Sequence, residues 1–302
     1  MCKFTKIYDF YQAIGLVLSF HFFLQMIVFK TKEELTDYLS ANPDACIGFV
    51  PTMGALHKGH LALLNEAKKQ TSLVVCSIFV NPTQFNNQND YNSYPKTIAE
   101  DLTLLDKINC DLVYLPEVAD LYKEGEKAKK YDFGGLENDM EGKFRKGHFN
   151  GVATIIEKFF NIIKPQKAFF GQKDLQQLLI VKALTKKLEL STEIITVPTI
   201  REKNGLTMSS RNKLLNKQAF NKARLLYQSL LFCKKNKDVL SFLKMKDKIT
   251  TRLSKEKIEL EYLTFTDSNS LQIITEPNPK GQTAVCIAAY IDGVRLIDNI
   301  IF

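Results

Sequence analysis

Two of the chain's four histidines, His57 and His60, stand three residues apart in "PTMGALHKGH", with Gly59 beside the second. Imidazoles so placed can donate hydrogen bonds to phosphate oxygens and stabilise negative charge that develops in a displacement. Two metal ligands are the other chemistry open to H-x-x-H, but no acidic residue or third histidine stands nearby. Far downstream, "MSSRN" sets Ser209, Ser210 and Arg211 in a row after a turn at "KNG". Two hydroxyls and a planar guanidinium suit a triphosphate, although S-S-R alone reads as an ordinary helix N-cap. Between these, "FFGQKDLQQLLIVK" places Lys173 and Asp174 after an apolar run and Gln176 and Gln177 at a helix start. Lys173 suits phosphates or an acyl phosphate, and Asp174 suits magnesium or a ribose hydroxyl. In "IFVNPTQF", Asn81 and Gln84 present neutral amides, which fit a polar, hydroxylated substrate. "MEGKFRKGHFNGV" carries Glu141 and Arg145 four apart, then His148. That spacing is also the one of a plain helix ion pair.

Such groups need a frame that brings them to one place. Apolar runs of strand length recur at 46–51, 73–80, 111–116, 168–171 and 193–200, and "MIVF" opens another at Met26. Stretches with Leu, Ile, Phe or Ala at three- and four-residue spacing lie between them, as in "GHLALLNEAKKQT" and "GVATIIEKFFNII". Alternating strands and helices with strands buried on both faces imply an α/β fold. The expected architecture is a Rossmann-like parallel sheet with helices on both faces. After about Ile200 the texture shifts to two amphipathic helices and then "ELEYLTFTD" and "TAVCIAAYIDGVRLIDNI", read as strands of a smaller C-terminal α+β domain. The expected division is therefore 26–199 and 200–302, the second part acting as a lid. In an open α/β sheet, ligands bind beyond the carboxyl ends of the strands. The loop after Pro51 delivers His57 and His60 to that edge. A helix beginning near Gly59 or His60 would aim its first N–H groups into the same space.

The formal net charge of +8 suits anionic ligands such as nucleotides or carboxylates, and equally a lysine-rich solvated surface. The lysines are spread along the chain, without the clustered basic face and interleaved aromatics that single-stranded nucleic acid favours. Six cysteines include no C-x-x-C pair, and Cys76 and Cys286 sit in strongly apolar runs, which fits buried hydrophobes in a reducing cytoplasm. The first 25 residues hold a mostly apolar run that is marginal for a membrane span. They are expected to lie outside the fold, as the product of an upstream start. There is no G-x-x-x-x-G-K-[ST] loop, which disfavours a P-loop kinase.

An early H-x-G-H with a late serine–arginine loop is the pairing of the adenylyl-transferring α/β superfamily, which includes class I aminoacyl-tRNA synthetases and small nucleotidylyltransferases. Within it the chain resembles the pantothenate synthetases, or pantoate–β-alanine ligases, from Met26 to Phe302. The stretches that carry the resemblance are "PTMGALHKGH", "SIFVNPTQF", "YPKT", "EGKFRKGHFNGV", "FFGQKDLQQL", "VPTIREKNGLTMSSRN" and "RLIDNI". The resemblance implies ligation of pantoate and β-alanine through a pantoyl adenylate, with ATP as substrate and magnesium on its phosphates. It implies His60 as catalytic acid and His57 as its partner on the phosphates, joined by Lys173 and Arg211. Met53, Gly54, Ala55, Leu56, Lys58 and Gly59 would complete the first ATP-binding stretch. Gly171, Gln172, Asp174, Ile200, Met208, Ser209 and Ser210 would supply the rest. Gln84 and Gln177 would hold pantoate, with Asn81 near them and Gln84 also facing β-alanine. Tyr94, Glu141 and Arg145 would support the site. No metal ligand, nucleic-acid partner or membrane partner is implied, and a cytoplasmic homodimer is. The enzyme rival is a nucleotidylyltransferase acting on a phosphorylated substrate, for which Asn81, Gln84 and Gln177 are the wrong charge. A basic RNA-binding protein is the rival from another class.

Overall fold

A computed structural model describes residues 26–86, 88–277 and 281–302; the expected extension at 1–25 lies outside the described residues. Six strands form one sheet: β1 (Ile27–Phe29), β2 (Ile47–Thr52), β3 (Leu73–Ile78), β4 (Leu112–Tyr114), β5 (Lys167–Gly171) and β6 (Glu193–Val197). They run parallel in the order β1-β4-β3-β2-β5-β6. Side chains alternate across the sheet. Phe49 and Val75 face helices α1 (Lys32–Ser40), α4 (His148–Ile163) and α5 (Leu175–Lys187). Val50, Val74 and Cys76 face α2 (Lys58–Gln70) and α3 (Ile98–Lys107). The sheet is thus covered on both faces, as its near-continuous apolar strands require.

Three more strands, β7 (Glu259–Asp267), β8 (Thr283–Ile291) and β9 (Val294–Ile301), form a separate antiparallel sheet. The long apolar run at 283–300 breaks at Asp292 and Gly293, whose φ angles of 48° and 77° make a two-residue hairpin turn. Val285 and Ile287 pack against helices α6 (Lys217–Asn236) and α7 (Phe242–Lys255). Ala284 and Cys286, on the opposite face of β8, join the core of the large sheet.

Some boundaries differ from the sequence reading. Helix α4 starts at His148, ahead of the expected Gly151, and β6 stops at Val197, where Pro198 removes the next N–H. Three short helices, Gln88–Ser93, Val118–Leu121 and Glu141–Phe144, have too few residues to show a period. Among the described residues, no helix is long and apolar enough to cross a membrane.

Candidate active site

Strand β2 has β3 on one side and β5 on the other, so the strand order reverses between β2 and β5. A crevice forms at such a point beyond the carboxyl ends. Here it is a cavity of about 250 Å³, lined from below by the loops after β2 and β5 and from above by β9 and residues 207–211.

Helix α2 begins one residue earlier than expected, with His57 as its N-cap. The spacing of the two histidines follows from that start. His57 Nδ1 accepts from the Gly59 N–H at 3.1 Å, and His60 Nδ1 accepts from the His57 N–H at 3.3 Å. This is a capping box built from imidazoles instead of hydroxyl and carboxylate. Gly59 is needed because a Cβ there would lie 2.8 Å from His57 Cε1. With both Nδ1 atoms accepting, each neutral ring carries its proton on Nε2 and lines the cavity. The ring planes are tilted by 30°, with centroids 4.0 Å apart. Burial and the nearby Lys173 push His57 down to about 4. Burial, His57 and Lys173 hold His60 well below its ordinary value. Both are therefore neutral hydrogen-bond donors at neutral pH.

The loop before α2 is held by a residue that the sequence reading did not single out. Asp101, buried in the first turn of α3, accepts from the Ala55 N–H at 2.9 Å and the Leu56 N–H at 2.7 Å. Ala55 adopts φ 48°, a left-handed conformation that these two bonds fix. Across the cavity, Ser210 donates to the Ala55 carbonyl at 3.0 Å and so ties the "MSSRN" loop to the histidine loop. Ser209 does cap a short 3₁₀ helix, Ser210–Leu214, so the N-cap reading of S-S-R is also correct. Arg211 pairs with Asp90 at 3.2 Å. Lys173 pairs with Asp174 at 3.1 Å, and the carbonyls of Gln172 and Lys173 accept from the Asn299 amide. Met208 hydrogen-bonds the carbonyl of Ile200, and both line the cavity.

The amide side is equally ordered. Asn81 donates to the Gly151 carbonyl at 3.1 Å and to Gln84 Oε1 at 3.3 Å, while its own oxygen accepts from Tyr122 at 2.8 Å. His148, neutral because burial drives it down to about 3, donates from Nδ1 to the Gln84 carbonyl at 2.9 Å. Its Nε2 accepts from Arg145 Nη1 at 3.1 Å. Gln176 and Gln177 both line the cavity, and Gln176 is buried, accepting from the Glu141 N–H and donating to the carbonyls of Leu136 and Asp139. Tyr94 lines the wall against Phe85.

Glu141 and Arg145 form the ion pair that their spacing allows, but a loose one: the short helix ends at Phe144, and Arg145 Nη1 stays 3.8 Å from Glu141 Oε2. Arg295 of β9 grips both carboxylate oxygens at 2.6 and 2.8 Å, and Tyr262 of β7 adds a bond at 2.9 Å. Burial alone would raise Glu141, but Arg295 and then Arg145 hold it down at about 2. Arg295 also bonds Glu261, so one buried carboxylate on the large-sheet side anchors the small sheet.

The expected residues Met53, His57, Gly59, His60, Asn81, Gln84, Tyr94, Glu141 and Arg145 line the cavity. So do Gly171, Lys173, Asp174, Gln177, Ile200, Met208, Ser209, Ser210 and Arg211. Gly54, Ala55, Leu56, Lys58 and Gln172 do not; Leu56 packs in the core and Lys58 points to solvent. Asp101, Tyr262, Arg295 and Asn299 are the residues that sequence reasoning missed.

The family model described as Pantoate-beta-alanine ligase matches residues 27–301. The chain belongs to the pantoate-beta-alanine ligase family. A pantothenate synthetase of Cytophaga hutchinsonii is 44% identical over 259 residues, covering 84% of this chain and 91% of that one. A pantothenate synthetase of Azobacteroides pseudotrichonymphae is 42% identical, covering 92% of this chain and 100% of its own. Among solved structures, the Thermus thermophilus pantothenate synthetase superposes with a TM-score of 0.84 at 36% identity, covering 91% of this chain and 99% of that chain. The Francisella tularensis ligase, solved with β,γ-ATP and β-alanine, gives 0.77 at 34% identity, covering 91% and 97%.

Proposed function

We propose that this chain joins pantoate to β-alanine at the expense of ATP, through a pantoyl adenylate. The observation that carries the reading is the convergence on one cavity of two Nε2–H imidazoles, Lys173 and the Ser209–Arg211 loop, opposite the amides of Asn81, Gln84 and Gln177. In the first step a pantoate carboxylate oxygen bonds to the α-phosphorus, and the bond to the β-phosphate oxygen breaks to release pyrophosphate. His57 and His60 donate from Nε2 to the phosphate oxygens, and Lys173 and Arg211 balance their charge. Neutral imidazoles serve here as donors aimed at developing charge, a role that needs no proton transfer. In the second step the free amine of β-alanine attacks the acyl carbon. The carbon–nitrogen bond forms, the carbon–oxygen bond to AMP breaks, and AMP departs with a pantoate oxygen.

Magnesium fits as the counter-ion that ATP brings. Among the described residues no cluster of three His, Cys, Asp or Glu could hold a metal, while Asp174 offers one half-exposed carboxylate beside Lys173. When bound, the ion would supply positive charge to the triphosphate, and Asp174 is the residue whose carboxylate would help hold it. The small sheet and the "MSSRN" loop act as a lid that keeps water from the labile adenylate. Ser210–Ala55, Glu141–Arg295 and Asn299–Lys173 are the contacts of its closed position. Hydrogen exchange of residues 203–215 should slow when ATP and pantoate are added; unchanged exchange would count against the lid. A cytoplasmic homodimer completes the reading.

Labelled oxygen tests the chemistry. Pantoate carrying ¹⁸O in its carboxylate should yield AMP with one ¹⁸O on phosphorus. Unlabelled AMP beside labelled pantothenate would rule the adenylate out.

A further inference from the structure

Three arginines line the cavity: Arg145, Arg211 and Arg295. Arg295 is bonded to Glu141 and Glu261, and Arg211 to Asp90. Arg145 differs. Its one side-chain hydrogen bond goes from Nη1 to the neutral ring of His148, and its nearest carboxylate, Glu141 Oε2, stays at 3.8 Å because Arg295 and Tyr262 hold Glu141. Among the described residues, Nε and Nη2 of Arg145 have no hydrogen-bond partner, although the side chain is only 16% exposed. A guanidinium has five N–H donors, and those of Arg145 that no protein atom meets are left open to the cavity it lines. Burial disfavours its charge, Glu141 supports it, and Arg211 and Arg295 oppose it, so an anion would relieve the cluster.

We infer that Arg145 binds the carboxylate of the amine substrate, as a two-pronged anchor held in place by His148. The inference rests on the ligase reading and assigns one subsite within it. Two organic carboxylates enter the site, and charge separates them. Pantoate's carboxylate loses its charge when it becomes the mixed anhydride, which would strand a buried guanidinium paired to it halfway through the reaction. The carboxylate of β-alanine stays ionised from binding to release, so a permanent cation suits it. The linkage agrees. His148 connects Arg145 to the Gln84 backbone on the amide side, while Lys173 and the two adjacent imidazoles hold the phosphate side. His148 acts as a positioning residue: as neutral Nδ1–H tautomer it orients the guanidinium without competing for its ligand.

The test compares β-alanine with its neutral isostere 3-aminopropanamide, using the full chain. A charge-assisted pair contributes about 1.5–3 kcal/mol, or roughly 10–150-fold. The wild type should therefore prefer the carboxylate by that order in kcat/KM. Arg145→Gln should lower kcat/KM for β-alanine by about the same factor and leave little preference between the amines. Its loss should exceed by about tenfold or more any change in pantoate-dependent ATP–pyrophosphate exchange measured without amine. Arg145→Lys should recover part of the preference, and it carries the test if Arg145→Gln does not fold. Arg145 variants that are folded, exchange-competent and still fully selective for the carboxylate would overturn the inference. Exchange without amine selectivity in the wild type would overturn it while leaving the adenylate reading intact. Absence of exchange in the wild type would strike the ligase reading itself, and this subsite with it.

Discussion

Gly151, on helix α4, gives the sharpest link between packing and chemistry. A Cβ there would lie 2.2 Å from the Thr83 carbonyl oxygen and 2.6 Å from Gln84 Cα. Both neighbours are backbone, so neither can rotate away. The shortest comfortable carbon–oxygen contact is about 3.3 Å, which means the Thr83–Gln84 turn must retreat by roughly 1 Å. Overpacking of this kind costs about 1–3 kcal/mol, and replacing a helical glycine by alanine returns roughly 1 kcal/mol. Net destabilisation of Gly151→Ala should be about 0–2 kcal/mol, a fall in melting temperature of a few degrees at roughly 2–4 °C per kcal/mol. Catalysis is less forgiving. A displacement of about 1 Å commonly costs about 100-fold, and Gln84 moves with the turn that Gly151 touches. Steady-state kinetics with pantoate varied, beside thermal unfolding, separates the two effects. The expected result is kcat/KM for pantoate down by about two orders of magnitude with a nearly native melt. A Gly151→Ala enzyme within about threefold of wild type in kcat/KM would refute the claim that this contact positions Gln84, since the shift would then cost far less than that principle implies.

Asp101→Ala strands the Ala55 and Leu56 N–H groups; at about 1–3 kcal/mol for each unmet buried donor, unfolding in urea should show a loss of that order and a raised KM for ATP. His60→Ala and Lys173→Ala should each lower adenylate formation by about 10²–10³-fold with folding intact, and near-normal exchange rates would remove the phosphate role assigned to them. Stability should fall with acid: His57 and His148 sit at about 4 and about 3 when folded against an ordinary 6.5, so the unfolded chain binds the extra protons between those values. The slope should approach about 1.4 kcal/mol per pH unit for each such histidine as pH drops from about 6.5 towards 4, and a denaturation midpoint flat across that range would contradict the neutral assignment.

Much of this was legible in the sequence because it is local. Strands β2, β3 and β5 are runs buried on both faces, so composition alone marks them. The histidine pair and the serine loop announce themselves by spacing. What was not legible depends on partners far along the chain. Asp101 reaches Ala55 across 46 positions, His148 reaches Gln84 across 64, and Arg295 reaches Glu141 across 154. The four-residue spacing found the loose Glu141–Arg145 pair at 3.8 Å but not the tighter grip of β9 on the same carboxylate. Nor does a contiguous motif tell which members face the ligand: Leu56 lies inside "PTMGALHKGH" yet packs in the core. Asp-Gly at 292–293 was a hairpin signal that the sequence did carry, within a run read only for its apolar content.

Product analysis tests the central claim most directly. The purified chain is incubated with ATP, magnesium and pantoate, with and without β-alanine, and AMP, ADP, pyrophosphate and pantothenate are resolved by mass spectrometry. The ligase account predicts pantothenate and stoichiometric AMP only when both organic substrates are present. Folded, ATP-binding protein that makes no pantothenate would contradict it and move a nucleotidylyltransferase reading to the front.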